Sequence, residues 1–254
     1  MALDDIGLSI DPSEVVGILG ESGSGKSSLA AAVLRLLPRT AECHGGLFFE
    51  EHDLLAMHES ELRRVRGRSI SMIPQDPASS LNPVIRVGAQ ISEVLRAHLR
   101  LDRDERKKSV QELLQEVGFD NPERIASCYP HQLSGGQRQR IVIAQAIACR
   151  PALVIADEPI SKLDSPLQAQ ILTLMFEISR RHRMALLWIT HDPATLVGFA
   201  DRIAVMHQGR IVEEGDTTMV LRRPVHSCTR KLVGLSHEFG LDSSCGVNGV
   251  VYAN

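Results

Sequence analysis

The stretch Gly20-Glu21-Ser22-Gly23-Ser24-Gly25-Lys26-Ser27 has the spacing G-x-x-x-x-G-K-S, which is suited to holding a phosphate. Its glycines let the backbone curl until successive N–H groups face one anion, and the start of a helix adds its positive dipole end. Lys26 brings a point charge for β- and γ-phosphates, and the Ser27 hydroxyl can ligate Mg²⁺. A glycine-rich turn capping an ordinary helix is the plainer alternative. The flanks weigh against it: β-type Glu14-Val15-Val16-Gly17-Ile18-Leu19 precedes the loop, and helical Ser28-Leu29-Ala30-Ala31-Ala32-Val33-Leu34 follows.

A second glycine-bearing segment, Leu133-Ser134-Gly135-Gly136-Gln137, opens the helical run Arg138–Ala148. Ser134 is a good N-cap, and proline at 151 ends the run. The continuous apolar stretch Ala152-Leu153-Val154-Ile155-Ala156 then fits a strand buried on both faces of a parallel sheet. It ends in Asp157-Glu158-Pro159, which places two carboxylates where α/β sheets bind ligands. Asp157 can hold Mg²⁺ through water, and Glu158 can polarise an attacking water. His191 follows another apolar run, Ala185–Thr190, at the same end of such a sheet.

Six stretches, in this order, resemble the motifs of the ATP-binding subunit of an ABC (ATP-binding-cassette) transporter. Gly20–Ser27 resembles the Walker A loop, and Leu133–Gln137 is identical to the family's signature. Leu153–Pro159 resembles Walker B, Gln75 the Q-loop glutamine, Ser161-Lys162-Leu163-Asp164 the D-loop and His191 the switch histidine. The resemblance implies an α/β fold, a P-loop NTPase core of mostly parallel sheet with an inserted α-helical subdomain. It implies ATP and Mg²⁺ as cofactors, with nucleotide contacts from residues 20–27, Ser28, Gln75, Ser134, Gly135, Gly136, Gln137 and Asp164. Mg²⁺ falls to Ser27, Gln75 and Asp157, and catalysis to Glu158 as base and His191 at the γ-phosphate.

The same resemblance implies a second ATPase subunit, paired head to tail so that the Ser134–Gln137 helix caps the partner's ATP. It also implies transmembrane permease subunits, an indirect link to a substrate-binding protein, and a peripheral place on the cytoplasmic face of the cell membrane. Gln75-Asp76-Pro77-Ala78-Ser79-Ser80-Leu81-Asn82-Pro83, Tyr129-Pro130-His131-Gln132 and Pro224-Val225-His226-Ser227-Cys228-Thr229-Arg230 are similar to subunits of dipeptide, oligopeptide and nickel importers. Residues 75–83 would pass motion to the membrane subunit.

Departures from the family pattern keep two other readings in view. Ile160 replaces a usual threonine, Lys162 a common alanine, and Pro74 stands where an aromatic often precedes the glutamine. A nucleotide-binding regulatory domain with impaired hydrolysis fits such changes; the match at Lys26, Ser134, Asp157, Glu158 and His191 favours an active enzyme. A soluble, non-transport member of the superfamily usually carries coiled-coil insertions or two cassettes, and neither is visible. No Phe, Trp or Tyr precedes Phe48, so the adenine-stacking aromatic of related subunits is missing. Residues 2–10 resemble the family's second or third strand, and the chain is expected to be shortened at its N-terminus.

Composition sets the frame for these sites. The 254 residues suffice for one domain with a full core, and 43% are hydrophobic. No apolar run is long enough to span a membrane, and no secretory signal pattern opens the chain. A net charge of −3 argues against nucleic acid as a partner, and the Arg63–Arg68 cluster is expected to be a solvated helix end. Five scattered cysteines without a C-x-x-C pair read as reduced thiols. The expected layout is an α/β core of residues 1–75 and 151–215, a helical subdomain of 76–150 and a tail of 216–254. In the tail, residues 243–249 are expected to be weakly ordered. Within 76–150, Val110, Leu113, Leu114 and Val117 form one apolar helical stripe. Residues 203–206 and 210–213 flank a Gly209 turn as a hairpin.

Overall fold

A computed structural model of the chain describes residues 3–38 and 40–238. The first strand, β1 (Val15–Leu19), runs through the phosphate-type loop into α1 (Lys26–Val33). A small antiparallel pair, β2 (Phe48–Phe49) and β3 (His52–Asp53), precedes α2 (Glu59–Val65) and β4 (Ile70–Ile73). Five helices follow without a strand: α3 (Pro77–Ser80), α4 (Val87–His98), α5 (Arg103–Glu116), α6 (Pro122–Ser127) and α7 (Gly135–Ile147). Then come β5 (Leu153–Asp157), α8 (Ser165–His182), β6 (Ala185–Thr190), β7 (Arg202–His207), β8 (Arg210–Asp216), α9 (Thr217–Arg222) and α10 (Ser227–Glu238).

Six strands form one sheet in the order β4-β5-β6-β1-β7-β8, parallel throughout except for the β7–β8 hairpin. The strands are continuous apolar runs because both faces of the sheet are covered. Val15 and Leu19 of β1, Val154 and Ala156 of β5, and Leu186 and Trp188 of β6 enter one core with the helices of residues 87–178. Their neighbours Val16, Ile18, Ile155, Leu187 and Ile189 enter a second core with Leu29, Ala30 and Leu34 of the α1 region. The two-residue period of a strand thus sorts alternate side chains into two layers. Trp188 closes the first core edge-on to Phe199, with ring centroids 4.8 Å apart.

Parallel pairing has a consequence for the site. β1, β4, β5 and β6 all end at the same edge, so the segments that leave them meet there. In register, Leu19 lies opposite Thr190, Asp157 opposite Ile189, and Ile73 opposite Ala156.

The expected stripe of α5 is buried at Val110, Leu113 and Leu114, with Val117 just beyond it. The helix starts on a full capping box, in which Asp102 accepts from Asp104 N and Glu105 N while Glu105 reaches back to Asp102 N. One expectation fails and another holds in part. Residues 3–10 form no strand: Leu3, Ile6, Leu8 and Ile10 pack against the second core as an irregular segment, held by the Asp4 N–H on Gly209 O. The Arg63–Arg68 cluster is a solvated helix end at Arg63, Arg64 and Arg68, with Arg66 the exception. Arg66 donates to the Leu34 and Arg35 carbonyls and pairs with Glu59, thereby tying α2 to the end of α1. Residues 243–249, expected to be weakly ordered, lie outside the described residues.

Candidate functional site

The loop after β1 depends on two glycines. A Cβ on Gly20 would lie 2.5 Å from the Met206 carbonyl oxygen and 2.6 Å from Ser24 Oγ, closer than atoms pack. Gly25, the N-cap of α1, takes φ +106°, a conformation that side chains rarely adopt. Gly209 N donates to Ser24 O, which ties the loop to the β7–β8 turn. The Lys26 side chain is 4% exposed, and its Nζ donates to Gly20 O at 2.7 Å and Glu21 O at 2.8 Å. Burial lowers its pKa, against the carboxylates of Glu158 and Asp157, which raise it.

Across the edge stand the two carboxylates of the β5 end. Asp157 is buried, and its Oδ1 meets no hydrogen-bond donor among the described residues. Burial pushes its carboxyl above the usual range, partly offset by a hydrogen bond from the Ser27 hydroxyl. Glu158 turns the chain at φ 45°, in the left-handed region, where a non-glycine residue carries about 1–3 kcal/mol of strain. Its N–H still donates to Ile189 O, one step beyond the β5–β6 ladder. One oxygen of its carboxylate accepts from Gln75 Nε2 at 3.1 Å, and the other lies 3.1 Å from His191 Nδ1.

The structure therefore gathers Gly20–Ser28, Gln75, Asp157, Glu158 and His191 at one edge. A buried lysine, an orphaned buried carboxylate oxygen and a hydroxyl beside it are hard, charged donors of the kind that suit phosphate and a divalent cation.

The remaining expected residues sit apart in their bonding. Ser134 and Gln137 close a capping box at the start of α7, with Gln137 N on Ser134 Oγ at 3.3 Å and Ser134 N on Gln137 Oε1 at 3.0 Å. Gly135 and Gly136 begin that helix, and Gly136 faces Leu167 of α8 closely. Asp164 caps α8 through Leu167 N. Among the described residues, none of these hydrogen bonds reaches the phosphate-type loop.

Several positioning residues escape a reading of the sequence. Lys162, conspicuous only as a departure, pairs with Asp76 at 3.0 Å, next to Gln75. Gln90 of α4 accepts from Asn82 N and donates to the carbonyls of Asn82 and Ile85, so it holds the loop that follows α3. A glutamine on the buried face of α4 is the one signal that could have marked it. Glu213 accepts from Val225 N and His226 N, giving Pro224–Arg230 an anchoring role. Thr190, Asp192 and Thr195 bond among themselves around the turn that carries His191.

Known proteins bear on this arrangement. The chain is 46% identical to the "Peptidoglycan transport ATP-binding protein YejF" of Agrobacterium fabrum over 92% of its own length and 43% of that protein's. It is 45% identical to the "Dipeptide transport ATP-binding protein DppD" of Haemophilus influenzae, over 94% of this chain and 72% of that one. The chain thus spans less than half of the first of these relatives. Its fold is similar to the ATP-binding cassette MJ0796, solved as a dimer in a post-hydrolysis state bound to ADP and Pi. That match has a TM-score of 0.75 and 29% identity, and covers 85% of this chain and 90% of that one. The family model described as "ABC transporter" matches residues 3–161, the stretch from ahead of the phosphate-type loop to just past the β5 carboxylates. By that match and these identities, the chain belongs to the ABC transporter family.

Proposed function

We propose that the chain is the ATP-hydrolysing subunit of a membrane importer, and that its cargo class is peptides. The observation that carries the reading is the Glu158 carboxylate, held between Gln75 and His191 at the edge where Lys26 and the phosphate-type loop lie. The names of the relatives favour peptides over nickel.

Phosphoryl transfer asks of a protein mainly positioning and charge neutralisation. The loop N–H groups and Lys26 would hold the triphosphate, and Ser27, Gln75 and Asp157 would hold Mg²⁺. When bound, Mg²⁺ supplies charge neutralisation at the phosphate oxygens. Glu158 takes a proton from the attacking water, and Gln75 and His191 fix the carboxylate that does so. Ser134–Gln137 serve the nucleotide of a second ATPase subunit rather than this one, which accords with their separate bonding. Residues 76–150 act as a helical subdomain on the core of 1–75 and 151–215, and 75–83 engage a permease subunit. The subunit would sit on the cytoplasmic face of the membrane; no helix among the described residues is long and apolar enough to cross one.

Phosphate release from ATP tests the reading. Lys26→Ala should lose binding and turnover together, whereas Glu158→Gln should keep binding and lose about 10²–10⁴ in rate. Parental turnover by Glu158→Gln would remove Glu158 as the base.

A further inference from the structure

The phosphate-type loop carries an acid of its own. Glu21 follows Gly20 directly, and its half-exposed carboxylate places negative charge beside a loop shaped for an anion. The opposing charge comes from the other end of the chain: Lys231 Nζ of α10 lies 3.2 Å from Glu21 Oε1, across 210 positions of sequence.

Lys231 is presented there by an anchored helix. The Glu213 carboxylate takes the N–H groups of Val225 and His226 just ahead of α10, and Cys228 N donates to His226 Nδ1. Thr229, Leu232 and Val233 are buried, so the neighbours of Lys231 hold the helix to the body of the protein. The same helix packs on Pro193–Leu196, the turn after His191.

We infer that Lys231 is a positioning residue of the nucleotide site, which by neutralising Glu21 sets the affinity of the loop for nucleoside di- and triphosphates. The inference rests on the reading that this loop binds ATP. An anion seated on the loop is repelled by an unpaired Glu21 and is not repelled by a neutralised one. Both side chains reach solvent, so the effect is modest and sensitive to salt. Exposed pairs of this kind change equilibria by about 1.5- to 5-fold.

Calorimetric titration of ATP and ADP into the full chain, at about 50 mM and about 500 mM salt, tests it. Lys231→Ala should weaken both nucleotides by about 1.5- to 5-fold at low salt and hardly at all at high salt, while Lys231→Arg keeps the parental affinity. In a Glu21→Gln background, Lys231→Ala should cost nothing. An equal loss in both backgrounds would overturn the inference, since Lys231 would then act on the nucleotide or the fold directly. No loss at low salt in a parent that binds ATP would overturn the inference alone. A parent that binds neither nucleotide would overturn the proposed function and this inference together.

Discussion

His191 Nδ1 and Gln75 Nε2 each approach a different oxygen of the Glu158 carboxylate, both at 3.1 Å. The three residues come from the ends of three different strands, β6, β4 and β5, so only the sheet brings them together. Replacing His191 with Ala frees one side of the carboxylate and leaves the phosphate loop untouched. We expect kcat for ATP hydrolysis to fall about 10²-fold, as for a reacting group displaced by an ångström, with KM changed little. Steady-state kinetics check this; an unchanged kcat would detach His191 from the chemistry.

Asp157 and Lys26 predict a cost of function in stability. A carboxyl raised by burial binds more protons folded than unfolded as pH climbs above the ordinary carboxylate range. Stability therefore falls through that window, and the deficit persists at neutral pH. Lys26, lowered by burial, keeps its proton longer unfolded, so its share of stability rises only as pH approaches the ordinary lysine value. Asp157→Asn should raise the nucleotide-free melting temperature at pH 7, lose the acidic-side slope and abolish hydrolysis. A lower melting temperature at pH 7 would contradict the account.

Gly20→Ala places a methyl group against the Met206 carbonyl, which the β7 backbone cannot yield cheaply. The loop must shift, at a cost of about 1–3 kcal/mol. Weakened ATP binding in titration together with a lower melting temperature is the expected result. Parental affinity would show that the loop tolerates the displacement.

Gln90→Leu removes the three hydrogen bonds that hold Asn82 and Ile85 and leaves their backbone groups to find water. On the proposed function, hydrolysis by the chain alone should persist, whereas assembly with or transport through the proposed membrane partner should weaken. Changes at Ser79, Ser80, Leu81, Asn82 or Pro83 should act the same way. Reconstitution with a candidate permease separates the two activities; equal loss of basal hydrolysis would place this loop in the active site instead.

What could be read from the chain was whatever is local in it. The phosphate-type loop, the Ser134 cap and the apolar strand runs each declare themselves within about ten residues, because glycine conformation, capping and burial are short-range constraints. Contacts that span the fold were not legible. Nothing near Lys231 announces Glu21, and nothing near Glu213 announces the N–H groups of Val225 and His226. Arg66 is one basic residue among several along the chain, and only the fold brings the carbonyls of Leu34 and Arg35 within its reach. Ile6, Leu8 and Ile10 alternate as in a strand, yet the segment pairs with no neighbouring strand and is held by apolar packing and by single backbone contacts such as the Asp4 N–H on Gly209 O.

The place of β1 in the sheet also sets a timetable. Its neighbours are β6 and β7, and Val15 pairs with Leu186, so the strand that launches the phosphate loop waits for some 171 further residues. A ribosome adding about 5–20 residues per second needs roughly 10–35 s to make them. For that interval the apolar segment Val15–Leu19 lacks the strands that flank it in the sheet. The edge that gathers Lys26 with Glu158 and His191 thus cannot be completed until β6 has been made, long after the lysine itself.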